Sequence, residues 1–234
     1  MTYIVFRDCP KLKSFTISSN HAYLAVVDDV LLNKDLTTII IYPTDRDGES
    51  YEMLSSVTII GEGSFWECRN LISMTIRDNV TIIKEYAFYF CSNLSSVTIA
   101  NSVTSIDERA FAYCSSLPSI TIPDTVTSIS LGLFQGCSSL PSITIPDTVT
   151  SIGSYAFGDC SVLTSITIPD LVTTIGEYAF VNCTGLTSII IPYSVTSIGA
   201  YVFKSCIKME SIILSGNSLE TIGEYAFSNC TGLT

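Results

Sequence analysis

Nine cysteines set the frame of this chain. They stand at positions 9, 68, 91, 114, 137, 160, 183, 206 and 230, so every step from Cys68 to Cys206 is 23 residues and the last is 24. A fixed internal period of this length marks a repeat architecture and constrains the fold more than any other feature. Each cysteine follows a phenylalanine by three residues, from Phe6, Phe65 and Phe88 through to Phe227. Each is followed three residues later by Leu or Met, from Leu12 to Met209 and Leu233. Two alternating aliphatic residues come next, as in Ile143 and Ile145. Pro-Asp pairs then recur at Pro123-Asp124, Pro146-Asp147 and Pro169-Asp170, and a Val-x-x-Ile-Gly run (Val149, Ile152, Gly153) leads back to Phe157.

A unit this short cannot bury its own apolar face, but stacked copies can, and the result is a solenoid in which each coil touches its neighbours. The Leu-x-x-Ile-x-Ile stretch is short, β-branched and alternating, which predicts one strand per coil. In this reading ten strand-forming units begin at 12, 36, 54, 71, 94, 117, 140, 163, 186 and 209, and the unit after Leu54 is shortened by six residues. Ten strands would stack into a parallel sheet roughly 43 Å long at about 4.8 Å per strand. The proline after the strand lacks an N–H and should end the ladder there. Gly153, Gly176, Gly199 and Gly223 are expected to supply positive φ at the turn into Tyr-Ala-Phe. That segment reads as a helical turn or 3-10 piece.

The whole of 1–234 reads as a single domain, with an irregular part at 18–53. There a hairpin-like bend is expected around Asn33-Lys34-Asp35, followed by an exposed loop at 43–53. Both ends cut through a repeat without a polar cap, and the last unit starts at Leu233 and stops at Thr234. Solenoids need caps, so a segment of a longer protein, or ends that self-associate, is expected. Met1 to Phe6 lacks a basic start and an apolar stretch, so no secretory signal is expected within this chain.

Composition excludes some functions. A formal net charge of −11 argues against a nucleic-acid binder, which needs a basic face to displace counterions. No apolar run is long enough for a membrane-spanning helix. The one histidine, His21, reads as a polar loop residue.

The cysteines are expected to form a buried ladder of free thiols. Stacked equivalents point the same way, whereas a disulfide needs converging Cβ vectors and zinc needs clustered ligands. Between the inward aliphatics, the outward positions spell two columns. One is Ser14, Thr38, Ser56, Ser73, Ser96, Ser119, Ser142, Ser165, Ser188 and Ser211; the other is Thr16, Ile40, Thr58, Thr75, Thr98, Thr121, Thr144, Thr167, Ile190 and Ile213. Threonine suits any β surface, and the same carpet is a flat, neutral docking face of the kind solenoids use. The candidate ligand-binding residues are Ser96, Thr98, Ser119, Thr121, Ser142, Thr144, Ser165 and Thr167. No nucleophile–base pair occurs in these columns, so no catalytic residue, metal or cofactor is expected.

An acidic column, Asp78, Asp124, Asp147 and Asp170, follows the strands. Hydrogen bonding of each carboxylate to its own turn is the expected role; bridging calcium would need six or more oxygens. Between Arg109 and Lys204 there is no Lys or Arg but five acids, Asp124, Asp147, Asp159, Asp170 and Glu177. A tyrosine column (Tyr86, Tyr155, Tyr178, Tyr201, Tyr225) is expected to pack ring on ring. Asn-x-Ser/Thr sequons occur at Asn79, Asn93, Asn182 and Asn229, of which the last two precede buried cysteines and should be inaccessible.

Leu-x-x-Ile-x-Ile-Pro-Asp-x-Val-x-x-Ile-Gly-x-x-Ala-Phe-x-x-Cys resembles the BspA-like (Treponema pallidum-type) leucine-rich repeat family over nearly the whole chain. The resemblance implies a right-handed leucine-rich repeat solenoid of about ten 23-residue coils. Its parallel β-sheet would line the concave face, with short strands, turns or 3-10 pieces on the convex face. It also implies a surface or secreted protein of a bacterium or a trichomonad-like protozoan, a non-enzymatic adhesion module that binds a host matrix or surface protein or a glycan. An intracellular scaffold for protein–protein interaction is the alternative. This chain departs from commoner leucine-rich repeats in having no asparagine ladder after the strand.

Overall fold

A computed structural model describes residues 9–234; the expectations for Phe6 and for Met1 to Phe6 lie outside the described residues. The chain forms a parallel β-solenoid, and among the described residues there is no helix. Most coils have two strands, the one expected from Leu-x-x-Ile-x-Ile and a second, short one. The first set is Ser50–Tyr51, Ser73–Ile76, Ser96–Ile99, Ser142–Ile143, Ser165–Ile166, Ser188–Ile191 and Ser211–Leu214. The second set is formed by the Val-x-x-Ile segments: Ile59–Ile60, Ile82–Ile83, Ser105–Ile106, Ser128–Ile129, Ser151–Ile152, Thr174–Ile175, Ser197–Ile198 and Thr221–Ile222. Wherever two neighbouring coils pair, equivalent residues pair in register, as Ser142 with Ser165 and Ile152 with Ile175.

There are about eight coils, not ten. Leu36-x-x-Ile39 and Val57-x-x-Ile60 match the spacing of both strand types, and they belong to the second. Thr38 pairs with Ile59, and Ile59 with Ile82. The shortened unit is a full coil in disguise. Ser50 pairs with Ser73 and Tyr51 with Met74, while Tyr51 and Met53 fill the inward places that isoleucines hold elsewhere. Tyr42 takes the phenylalanine place, stacking 5.0 Å from Phe65. The expected loop 43–53 therefore carries a strand and the buried Tyr51 and Met53.

The N-terminal end is covered, contrary to expectation. Strands β1 (Leu24–Val27), β2 (Val30–Asn33) and β3 (Thr38–Ile41) form an antiparallel meander, and β3 joins the second-set sheet. Asp28 and Asp29, both at positive φ (48° and 65°), make the tight β1–β2 turn. The bend expected around Asn33 is present: the Asn33 carboxamide oxygen accepts the Thr37 and Thr38 N–H groups, at 2.8 and 2.9 Å. Val30 and Leu32 join the main core. Leu31 packs with Ile40 and Ile41, backed by Phe15 and Ile17. Residues 12–17 are thus packing material and not a coil, and Ser14 and Thr16 belong to no strand column. At the other end, Leu214 and Ile222 are half exposed (50% and 51%), whereas their equivalents Ile191 and Ile198 are buried.

The remaining side of each coil is a run of turns. They are closed within the coil by bonds such as Cys160 N–H to Phe157 O (3.2 Å) and between coils by bonds such as Phe157 N–H to Ala179 O (2.8 Å). Positive φ falls here on Tyr155, Tyr178, Tyr201 and Tyr225, not on the preceding glycines. Gly176 is required for a different reason: a Cβ there would lie 2.5 Å from Ser154 N, the backbone of the neighbouring coil.

The first-set sheet falls into pieces of three, two and two strands. The strands before Pro146 and Pro169 span two residues, whereas Ser188–Ile191, before the equivalent Pro192, keeps four. The unforeseen effect comes from Pro118 and Pro141. At that place Ser95 and Thr187 donate N–H to the previous coil, which a proline cannot do. Residues 119–122 accordingly form no strand, although Ile120 and Ile122 stay buried.

Candidate functional site

The eight candidate residues all lie exposed on the first-set face. Register aligns them across coils, as Ser73 with Ser96, Thr75 with Thr98, and Ser142 with Ser165. Ser119 and Thr121 belong to this face but sit outside any strand, so the ladder does not run unbroken beneath it. The columns also need re-framing at the N-terminal end. Ser50 and Glu52 take the places expected for Ser56 and Thr58. Thr38 lies in β3 and Ile40 is buried. Spacing could not reveal this, because both strand types share the i, i+3 step.

The face changes character along its length. At its N-terminal end Arg77 donates to the Glu52 carboxylate at 2.6 Å. This pair borders a groove of about 360 Å³ lined also by Ser50, Ser73 and Thr75. The middle coils are neutral hydroxyls. At the C-terminal end Ile190 and Ile213 pair in adjacent strands, each about half exposed. The groove was missed because Glu52 lay in a segment read as loop.

Cys68, Cys91, Cys114, Cys137, Cys160, Cys183, Cys206 and Cys230 are free and buried, as expected. They do more than fill space. The thiols of Cys91 to Cys230 donate to the carbonyl of the phenylalanine in the preceding coil at 2.9–3.3 Å. That carbonyl also accepts the N–H of the cysteine in its own coil. The thiol column thereby does the work that an asparagine ladder does in other solenoids. Cys9 differs: it is exposed, since its segment is not stacked into the coils. A thiol reagent should therefore titrate one group in the native protein and all nine after denaturation. Several reactive thiols in the native state would contradict the ladder.

A second ladder runs through Thr81, Thr104, Thr150, Thr173 and Thr196, whose hydroxyls donate to the threonine carbonyl one coil back at 3.3–3.4 Å. Tyr155, Tyr178, Tyr201 and Tyr225 stack at 4.7, 4.7 and 5.2 Å, the packing role expected of them. Tyr86 stands apart, against Trp66 and Tyr89, and accepts a bond from Arg109 at 3.0 Å.

Asp124, Asp147 and Asp170 are exposed. Their turns are closed by backbone bonds, Val126, Val149 and Val172 N–H to the proline carbonyls, and not by the carboxylates as expected. Among the described residues no group of three or more side chains is placed to hold a metal ion. Asn182 and Asn229 are exposed, contrary to expectation, because each lies in the turn while the cysteine after it points inward. The His21 Nδ1 accepts the Leu24 N–H at 3.1 Å, at the entry to β1.

A family model described as the BspA type leucine rich repeat region, in six copies, matches residues 44–163 and 150–234. A leucine-rich repeat protein of Eubacterium ventriosum superposes with a TM-score of 0.72 at 25% identity, over 94% of this chain and 53% of its own. This chain therefore spans about half the length of that protein. A leucine-rich repeat protein of Bacteroides ovatus gives 0.55 at 26% identity, over 94% and 69%. The T. pallidum leucine-rich repeat protein gives 0.55 at 21% identity, over 94% and 91%, a likeness of fold. Among curated proteins there is no match.

Proposed function

The chain belongs to the BspA-type leucine-rich repeat family, and from that premise we propose that it is a non-enzymatic adhesion module whose docking surface is the first-set face. The observation that carries this reading is the block of exposed, uncharged hydroxyls that recur once per coil from Ser96 and Thr98 to Ser165 and Thr167. Hydroxyls donate and accept, so they suit a peptide backbone or a glycan. A preformed face lowers the ordering cost of binding. The acid-only stretch between Arg109 and Lys204 favours basic over acidic partners. The partner in this reading is a host matrix or surface protein or a glycan on another cell. Family membership supports a cell-surface or secreted placement. An intracellular scaffold would use the same face, and proteolytic shaving of intact cells separates the two. Self-association through the half-exposed C-terminal coil is a further mode.

The test replaces Thr121, Thr144 and Thr167 together with lysine and measures binding to a matrix protein or to cells, after circular dichroism has verified the fold. Binding should weaken by at least about tenfold, or 1.4 kcal/mol. Retained binding, lost instead when Tyr155, Tyr178 and Tyr201 become alanine, would place the interface on the turn side.

A further inference from the structure

We infer that the solenoid has one flexural joint, between the coils 94–116 and 117–139, about which its two parts bend relative to each other. The second-set ladder is continuous on both sides of this point but does not connect Ser105–Ile106 to Ser128–Ile129. The first-set ladder also stops here, after Ser96–Ile99. Among the described residues this is the one boundary where both ladders are interrupted.

The sequence supplies a cause on each side. Pro118 occupies the place where Ser95 donates its N–H to Ile72 O at 2.9 Å, and it has none to donate. On the second side Lys84, Asp107 and Gly153 donate their N–H to the isoleucine carbonyl of the preceding coil at 2.9, 2.8 and 2.7 Å. Ser130, at the same place, reaches Ile106 O with its hydroxyl, at 2.6 Å. The core registers the change: Phe111 and Phe134 are 6.2 Å apart, the widest step of the phenylalanine stack, whose other steps run from 4.9 to 5.8 Å.

The turn side stays bonded. Arg109, Phe111 and Tyr113 donate their N–H groups to Leu131, Leu133 and Gln135 at 2.9, 3.1 and 2.6 Å. The turn side is tied by backbone bonds, while the second-set side is held across the boundary by the hydroxyls of Ser130 and Thr125, to Ile106 O and Val103 O, and not by a strand ladder; this is the mechanical layout of a hinge, in which bending spreads the strand sides about the turn side. The joint goes beyond the docking reading, since it exists whatever binds. Its position does give it a consequence there. It separates Ser96 and Thr98 from Ser142 and Thr144, so a partner touching both parts would select one curvature.

Two matched label pairs test this in the full chain with Cys9→Ser, whose remaining cysteines are buried. Thr75→Cys with Thr167→Cys spans four coils across the joint. Thr121→Cys with Ile213→Cys spans four coils on its C-terminal side. Both pairs are about 19 Å apart at the strand spacing. The distance distribution from paired spin labels should be broader across the joint, and Pro118→Ser should narrow it. Native hydrogen exchange gives a second readout, with loss of amide protection at 119–122 relative to Ser188–Ile191. Equal breadths for the two pairs, or equal protection of the two segments, would overturn the inference.

Discussion

Raising the pH from 9 toward 12 is expected to unfold this solenoid cooperatively. Burial pushes the Cys91 and Cys137 thiols up to about 12 from an ordinary value of 9.0, and pushes Cys68, Cys114, Cys160 and Cys183 well up. An unfolded chain gives up these protons near pH 9, whereas the folded chain holds them. Between the two values the unfolded state binds fewer protons, so stability is fully present below about pH 9 and falls as the pH rises. Each thiol removes about 1.4 kcal/mol per pH unit, so two of them over three pH units remove about 8 kcal/mol, the scale of a whole domain's stability. The buried phenol of Tyr51, also pushed to about 12, acts in the same direction. Alkaline titration should show thiolate absorbance and loss of circular dichroism in one transition. Full thiolate absorbance near pH 9 with the fold intact would refute the buried, hydrogen-bonded state of the column.

Phe157→Ala is expected to cost about 3–5 kcal/mol. Phe157 is fully buried between Phe134 at 5.8 Å and Phe180 at 5.3 Å. The gap left by its ring cannot close, because the backbone bonds of the flanking coils fix their spacing. Loss at a central coil also weakens two nearest-neighbour interfaces at once, the terms that hold a solenoid together. Tyr178→Ala removes an aromatic ring from the next coil, but from a part-exposed stack, and should cost less than about 1.5 kcal/mol. Urea denaturation of the two variants decides the matter, and equal losses would remove the phenylalanine stack from its central role.

The repeat, the buried cysteines and the outward hydroxyl columns were legible because each rests on chemistry that recurs unchanged from coil to coil. What escaped was hidden by substitution or by ambiguity of spacing. Tyr51 and Met53 fill isoleucine places with different shapes, and so a full coil read as a charged loop. Leu36 and Ile39 fit either strand type by spacing alone, and only the pairing of Thr38 with Ile59 assigns them. The thiol–carbonyl bonds could not be read from sequence, since a buried cysteine is equally at home as a plain apolar filler. The role of Gly176 was misassigned because a glycine serves both left-handed backbone and close approach, and the letter does not say which. For the candidate face, strand alternation predicts the exposure, while the interruption at 119–122 arises because Pro118 precedes the strand place and does not follow it.

The last coil shows how such a chain tolerates change in length. Ser188 pairs with Ser211, a step of 23, whereas Ser197 pairs with Thr221, a step of 24. The additional residue is taken up in the bend between Leu214 and Thr221, and neither ladder shifts phase. That bend is therefore a natural graft point. Short peptides inserted at the corresponding bends of earlier coils, after Pro123, Pro146 or Pro169, should be displayed in a row spaced by single coils, and the molecule becomes a ruler on which binding epitopes can be set at chosen intervals.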